Sequence, residues 1–228
     1  MGAAFVIAFS TYSRLPMPQV EWSERNMRYA ICFFPLIGAV IGALVLGWGW
    51  VCRALELNPL LAAAGWTALP LLITGGIHMD GFCDTVDALS SHQDRARKLE
   101  ILKDPHTGAF AVIFCGVWLL LYAGAAAQAP FPRGAAVAAW GYVLSRALSG
   151  LALANWKGAR PSGMLQSFAS ASHRTAVTAA MAGYVLLAAA GMLLCAPVGG
   201  GAALLAAALV FAHYRRMSHK QFSGITGD

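Results

Sequence analysis

Residues 175–212 contain no charged side chain over 38 consecutive positions. One membrane crossing needs only about 20 apolar residues, so this stretch is long enough for two. Pro197 and Gly199-Gly200-Gly201 fall near its middle, where a helix is expected to break. The stretch therefore reads as a hairpin of two spans. Four further spans precede it, over residues 29–52, 57–79, 105–132 and 134–155. The first three of these carry no ionised group beyond His78 and His106, and the fourth carries Arg146.

Composition agrees. Hydrophobic residues make up 58% of the chain and charged residues 11%, with mean hydropathy +0.61. Soluble domains average about 45–50% and about 25%. A disordered chain, a coiled coil and a disulfide scaffold are excluded, and the composition argues against an ordinary soluble enzyme. Five cysteines form no CxxC pair, so buried free thiols are expected rather than a zinc site. Residues 1–10 are apolar but lack a basic n-region, which argues against a signal peptide and for a short interfacial or re-entrant helix. The expected fold is all-α: a polytopic integral membrane bundle of about six transmembrane helices, in one domain over residues 1–228.

The net charge of +6 is read as topology rather than as a nucleic-acid surface. Of the 16 Lys and Arg residues, all but Arg53, Arg133 and Arg146 fall in four segments, 11–28, 80–104, 155–174 and 215–228. Every acidic residue except Glu56 lies in the same segments. The positive-inside bias puts these segments and both termini in the cytoplasm. Any chemistry should face that side.

Asp80, Asp84 and Asp87 stand at i, i+4 and i+7. At about 100° per residue they share one face of a helix, within roughly 60°. Like charges at that spacing repel, and charge at a membrane mouth is costly. A divalent cation removes both penalties, and an all-oxygen donor set selects Mg²⁺ or Mn²⁺. Gly75 and Gly76 precede the acidic turn; they serve either close approach of a phosphate or a kink. Arg146 lies about eight residues inside its span, roughly 12 Å deep, where an Arg usually faces the bundle interior and pairs with a carboxylate or a phosphate. Arg14 and Arg160 are loop residues on the same side, placed for phosphate contact or for topology alone. Asp104, just before Pro105, can face the same pocket.

The run Gly75-Gly76-Ile77-His78-Met79-Asp80-Gly81-Phe82-Cys83-Asp84-Thr85-Val86-Asp87 resembles the GG-x-H-x-DG-x-x-DT-x-D signature of the cobalamin synthase family, the adenosylcobinamide-GDP ribazoletransferases. Supporting matches are Ser13-Arg14-Leu15-Pro16, Phe34-Pro35-Leu36-Ile37-Gly38, Lys103-Asp104-Pro105 with Gly108, Arg146, and Gly224-Ile225-Thr226-Gly227-Asp228. Ala88 stands where the family usually has Gly, and Met79 and Cys83 are variant. The family pattern usually continues beyond Asp228 into another apolar segment, so the chain is expected to be short at its C-terminus.

The resemblance implies a membrane transferase of the bacterial cytoplasmic (inner) membrane. Its substrates would be adenosylcobinamide-GDP and α-ribazole or α-ribazole 5′-phosphate. Its products would be GMP and adenosylcobalamin or its 5′-phosphate. It implies Mg²⁺ on Asp80, Asp84 and Asp87, with Arg14, Gly75, Gly76, Arg146 and Arg160 binding substrate. Asp87, His78 and Asp104 are the candidates for accepting the hydroxyl proton, with no choice among them. The lipid bilayer is the solvent, no nucleic acid is expected, and a homo-oligomer is left open. Two rival readings share the acidic cluster. One is another Mg²⁺-dependent membrane transferase on diphosphates, resembling CDP-alcohol phosphotransferases or prenyltransferases. The other is an ion-coupled transporter, which would place its carboxylates nearer the bilayer midplane.

Overall fold

Proline and glycine set many of the helix limits. A computed structural model describes residues 1–228. Its first elements are α1 (Gly2–Tyr12), α2 (Glu24–Met27), a 3-10 turn (Ala30–Phe33) and α3 (Phe34–Ala54). Then come α4 (Pro59–Thr74), α5 (Ile77–Ser90), α6 (Arg95–Ile101) and α7 (Ala109–Gln128). The chain continues with α8 (Arg133–Asn155), α9 (Met164–Ala171), α10 (Arg174–Cys195) and α11 (Pro197–Phe222). Five regions are long and apolar enough to cross a membrane, and the bent pair α4–α5 supplies a sixth. The protein is an all-α, multi-pass membrane bundle, as its sequence predicts.

Two boundaries differ from the sequence reading. Residues 57–79 are not one span. Asn58 caps α4 by accepting the Leu60 amide at 2.8 Å, with Pro59 in the first turn. The helix then ends at Gly75, whose φ of 65° only glycine adopts freely, and Gly76 follows at φ 81°. Beyond them α5 leaves at 93° to α4. The pair is a broken crossing, and the charged part of α5, from Asp80 onward, is thereby turned across the end of the bundle. The second difference is the hairpin. Its break is Ala196 alone, Pro197 begins α11, and the glycine triplet lies inside that helix. A Cβ on Gly200 would stand 2.6 Å from the Met192 carbonyl carbon, so the small residue lets the two arms close on each other.

The centre of the bundle is α8, packed against α3 on one side and α10 on the other. A Cβ on Gly42 of α3 would meet the Ala139 Cβ of α8 at 2.8 Å, so this pair approaches closely. The N-terminal helix α1 contributes Ala4 and Ile7 to a buried cluster with Ile31, Ala147 and Phe168. By contrast α7 and α11 are peripheral, and leave Leu120, Leu121, Leu205 and Leu209 exposed. Their surroundings are lipid, so this exposure carries no penalty.

The charged segments gather where α5 lies. Buried Lys98 of α6 donates to Gln221 of α11 at 2.6 Å. Arg160 donates to the Leu99 carbonyl at 3.0 Å. The C-terminal tail runs beside residues 157–159, with the Ile225 amide donating to Lys157 at 2.9 Å and Ala159 donating back at 2.8 Å.

Candidate functional site

The α5 helix is the organising element. Asp80, Asp84 and Asp87 share one side of it, as their spacing predicts. Asp87 is fixed from outside its own helix. Its carboxylate accepts the Gly108 amide at 2.6 Å and the Ala111 amide at 2.9 Å, at the start of α7. Those amides have no partner within α7, and the positive end of the helix favours an anion there. A Cβ on Gly108 would stand 2.7 Å from the Asp87 carboxylate, so only glycine fits.

Asp84 is half-buried. Burial pushes its carboxyl up to about 6, Asp80, Asp228 and Asp87 push the same way, and Arg160 opposes them. Asp228 arrives from the tail. Ser223 ends α11 at φ 64°, the tail pairs with residues 157–159, and Asp228 comes to rest on Gly81. A Cβ on Gly81 would meet the Asp228 backbone oxygen at 2.8 Å. Burial raises the Asp228 carboxyl as well, against Arg160 and Thr226. In the sequence the Gly-rich tail and its family match only suggest that Asp228 can reach a phosphate or metal; its long-range contact with Gly81 had no local signal.

This donor set can be tested against a metal. No group of three His, Cys, Asp or Glu side chains stands close enough to enclose an ion. Mg²⁺ ordinarily takes one or two carboxylates and completes its shell with water and substrate phosphate. The cluster around Asp84 fits an ion held in that way, and not an all-protein cage. Charge repulsion at Asp84, relieved only by Arg160, is what a cation would remove.

The other expected site residues divide. Arg160 is brought to the cluster, its Nε buried without a protein partner. Arg14 lies over the bend: its amide donates to Ile73 at 2.7 Å, and a Cβ on Gly75 would meet its Nε at 2.7 Å. Gly75 and Gly76 themselves form the turn from α4 into α5. Asp104 is exposed and accepts from the His106 amide at 3.0 Å and the His106 ring at 2.7 Å. These bonds hold its carboxyl below the usual range, and its charged neighbours are His106 and Arg97, not the α5 carboxylates.

His78 and Arg146 belong to the opposite side of α5. His78 packs near Tyr12 and Phe34. The ring is held among these aromatics at the bend between α4 and α5. Its ring borders two cavities. One of about 210 Å³ also meets Thr85, Tyr214, Thr226 and Asp228. The other, of about 590 Å³, extends between α4, α7 and α8 to Arg146. Trp118, Tyr122 and Tyr142 line this larger cavity and were not singled out in the sequence. Trp118 and Tyr122 are four apart on one helix face, but α7 is apolar all round and its spacing is uninformative.

The chain was compared with known proteins. Residues 4–228 match the model of the family described as cobalamin-5-phosphate synthase. The adenosylcobinamide-GDP ribazoletransferase of Lachnoclostridium phytofermentans is 47% identical over 222 residues, which is 97% of this chain and 85% of that one. The protein of the same name from Geobacillus kaustophilus is 37% identical over 233 residues, covering 98% and 87%. The one from Geobacillus thermodenitrificans is 32% identical over 237 residues, covering 100% and 89%. No solved structure matches.

Proposed function

The chain belongs to the cobalamin-5-phosphate synthase family, and from that premise we propose that it transfers the adenosylcobinamide-phosphate group of adenosylcobinamide-GDP to a ribazole acceptor, releasing GMP. The observation that carries this reading is the convergence on α5 of Asp80, Asp84, Asp87, Asp228 and Arg160. Phosphoryl transfer asks a protein for positioning and charge neutralisation more than for covalent chemistry. A set of carboxylates with one facing Arg is suited to a metal-bound diphosphate.

The residues take these roles. Asp84 and Asp80 would hold Mg²⁺, with Asp228 and Asp87 beside them. Bound there, Mg²⁺ neutralises diphosphate charge and polarises the phosphorus. Asp87 also fixes α5 against α7 through the Gly108 and Ala111 amides. Arg160 offsets charge developing on the GMP phosphate. An acceptor ribose hydroxyl forms the new O–P bond at the phosphorus nearest the cobinamide. The P–O bond to GMP breaks, and GMP leaves with the electron pair.

Among the three candidates for the hydroxyl proton, the geometry favours His78. Its ring borders both cavities, whereas Asp104 is turned to His106 and Asp87 is engaged by α7. The site faces the cytoplasm of a bacterial inner membrane. This orientation rests on the basic segments that gather at the α5 end of the bundle.

The test uses the full chain in lipid nanodiscs with adenosylcobinamide-GDP, α-ribazole 5′-phosphate and Mg²⁺. One GMP per corrinoid product is expected, and none after chelation. A folded protein that releases no GMP overturns the proposal.

A further inference from the structure

We propose, resting on the transferase reading above, that the larger cavity is the acceptor subsite and takes an aromatic nucleoside bearing a phosphomonoester, its base on Trp118 and Tyr122 and its phosphate on Arg146. This assigns Arg146 to the acceptor, while Arg160 serves the donor diphosphate.

The cavity volume of about 590 Å³ lies within the usual range for small-molecule sites, about 300–1,000 Å³. Trp118 and Tyr122 both line it and stack on each other, centroids 4.8 Å apart and planes 9° apart, so a base would lie on an outer face of the pair. A heterocyclic base stacks on such a surface without needing hydrogen bonds. Arg146 is the only Lys or Arg in the wall, and the wall contains no carboxylate. Its Nη1 donates to Ser145 at 2.9 Å, its guanidinium lies over the Tyr142 ring at 5.9 Å, and its Nε is buried without a partner. A guanidinium inside a membrane bundle with no anion facing it is costly. Its fork matches a phosphate, and Ser149 and Thr74 add hydroxyls to the same wall.

The diphosphate does not satisfy this cation, because the carboxylates that would hold its metal occupy the other side of α5. The two sides meet at His78 and Phe82, which border both cavities. An acceptor anchored at Arg146 thus has its ribose directed toward His78, where the donor is met.

Binding is measured by tryptophan fluorescence in nanodiscs of phosphatidylcholine without adenosylcobinamide-GDP, so that the result is independent of turnover. Wild type should bind α-ribazole 5′-phosphate at least about tenfold more tightly than α-ribazole, as charge-assisted hydrogen bonds to phosphate predict. R146Q should remove the difference, and R146K should retain part of it. W118F should lose most of the fluorescence change while still binding in a competition assay. Circular dichroism and unchanged stabilisation by Mg²⁺ establish that R146Q is folded. Equal affinity of wild type for the two ligands, or an R146Q that keeps the preference, overturns the proposal. So does binding that appears only in phosphate-free detergent and is lost in phospholipid nanodiscs, because the cavity would then take a lipid phosphate. A wild type that binds through Arg146 but releases no GMP would instead fell the proposed function and leave the pocket standing.

Discussion

On one side of α5, four carboxylates and Arg160 crowd together, with Gly81 pressed against the Asp228 backbone and Gly108 against the Asp87 carboxylate. On the other side, aromatic rings and one guanidinium line a cavity that contains no carboxylate. The first side is assembled from the short helix, the C-terminal tail and the start of α7. The second is mostly side chains of α4, α7 and α8. A helix turned by 93° at two glycines makes this division possible, because it presents one face to each region. Opposite charges are thereby kept from neutralising each other, and each is left for a ligand.

Substitutions on the carboxylate side should separate these contributions, beginning with the largest. Asp84→Asn is expected to lower kcat by at least about 100-fold by removing charge at the metal, with circular dichroism unchanged. Retention of half the wild-type rate would eliminate the metal-ligand role. Next is Gly81→Ala. Its Cβ would meet the Asp228 backbone, and overpacking of this kind costs about 1–3 kcal/mol. A roughly tenfold fall in rate is expected, with a tail more open to limited proteolysis. Unchanged proteolysis would show that the tail does not need this contact. Gly108→Ala should displace Asp87 from the α7 amides and destabilise by about 1.5–3 kcal/mol, the worth of hydrogen bonds to a charged group. Thermal unfolding in detergent measures it, and an unaltered melting temperature would remove the clamp from consideration.

The smallest effect is that of pH on the metal-free protein. Asp84 has a folded pKa near 6, above its ordinary value, so the folded state binds more protons than the unfolded state between those values. Stability therefore rises as pH falls from 7.5 toward 5, and the penalty is fully present above about 6. Mg²⁺ should raise the melting temperature at pH 7.5 and flatten this dependence. A metal-free melting temperature that falls on mild acidification would contradict the repulsion assigned to Asp84.

The spans were legible because lipid leaves little choice: an uncharged run of that length must cross or pack among crossings. The carboxylate face was legible because helical spacing alone sets it. The bend was only half legible. Gly75 and Gly76 announced a break, but nothing local gave its direction, and Leu57 to Met79 looked like one continuous span. The glycine triplet misled in the opposite sense, since packing against Met192 holds it inside α11. The pairings of Asp228 with Gly81 and of Asp87 with α7 join residues far apart in sequence. Tertiary packing, not periodicity, decides such contacts. Trp118 and Tyr122 were hidden for another reason: in a helix surrounded by lipid, an aromatic facing a cavity and one facing acyl chains have the same composition around them.

The division of labour across α5 is tested most directly by steady-state GMP release, with acceptor concentration varied, for wild type, D84N and R146Q. The two variants should fail differently. D84N is expected to lose kcat at every acceptor concentration. R146Q is expected to keep kcat within about threefold while its KM for α-ribazole 5′-phosphate rises about tenfold, as loss of uniform binding requires. If both variants lose kcat alike and leave that KM unchanged, the two sides of α5 are not separate sites.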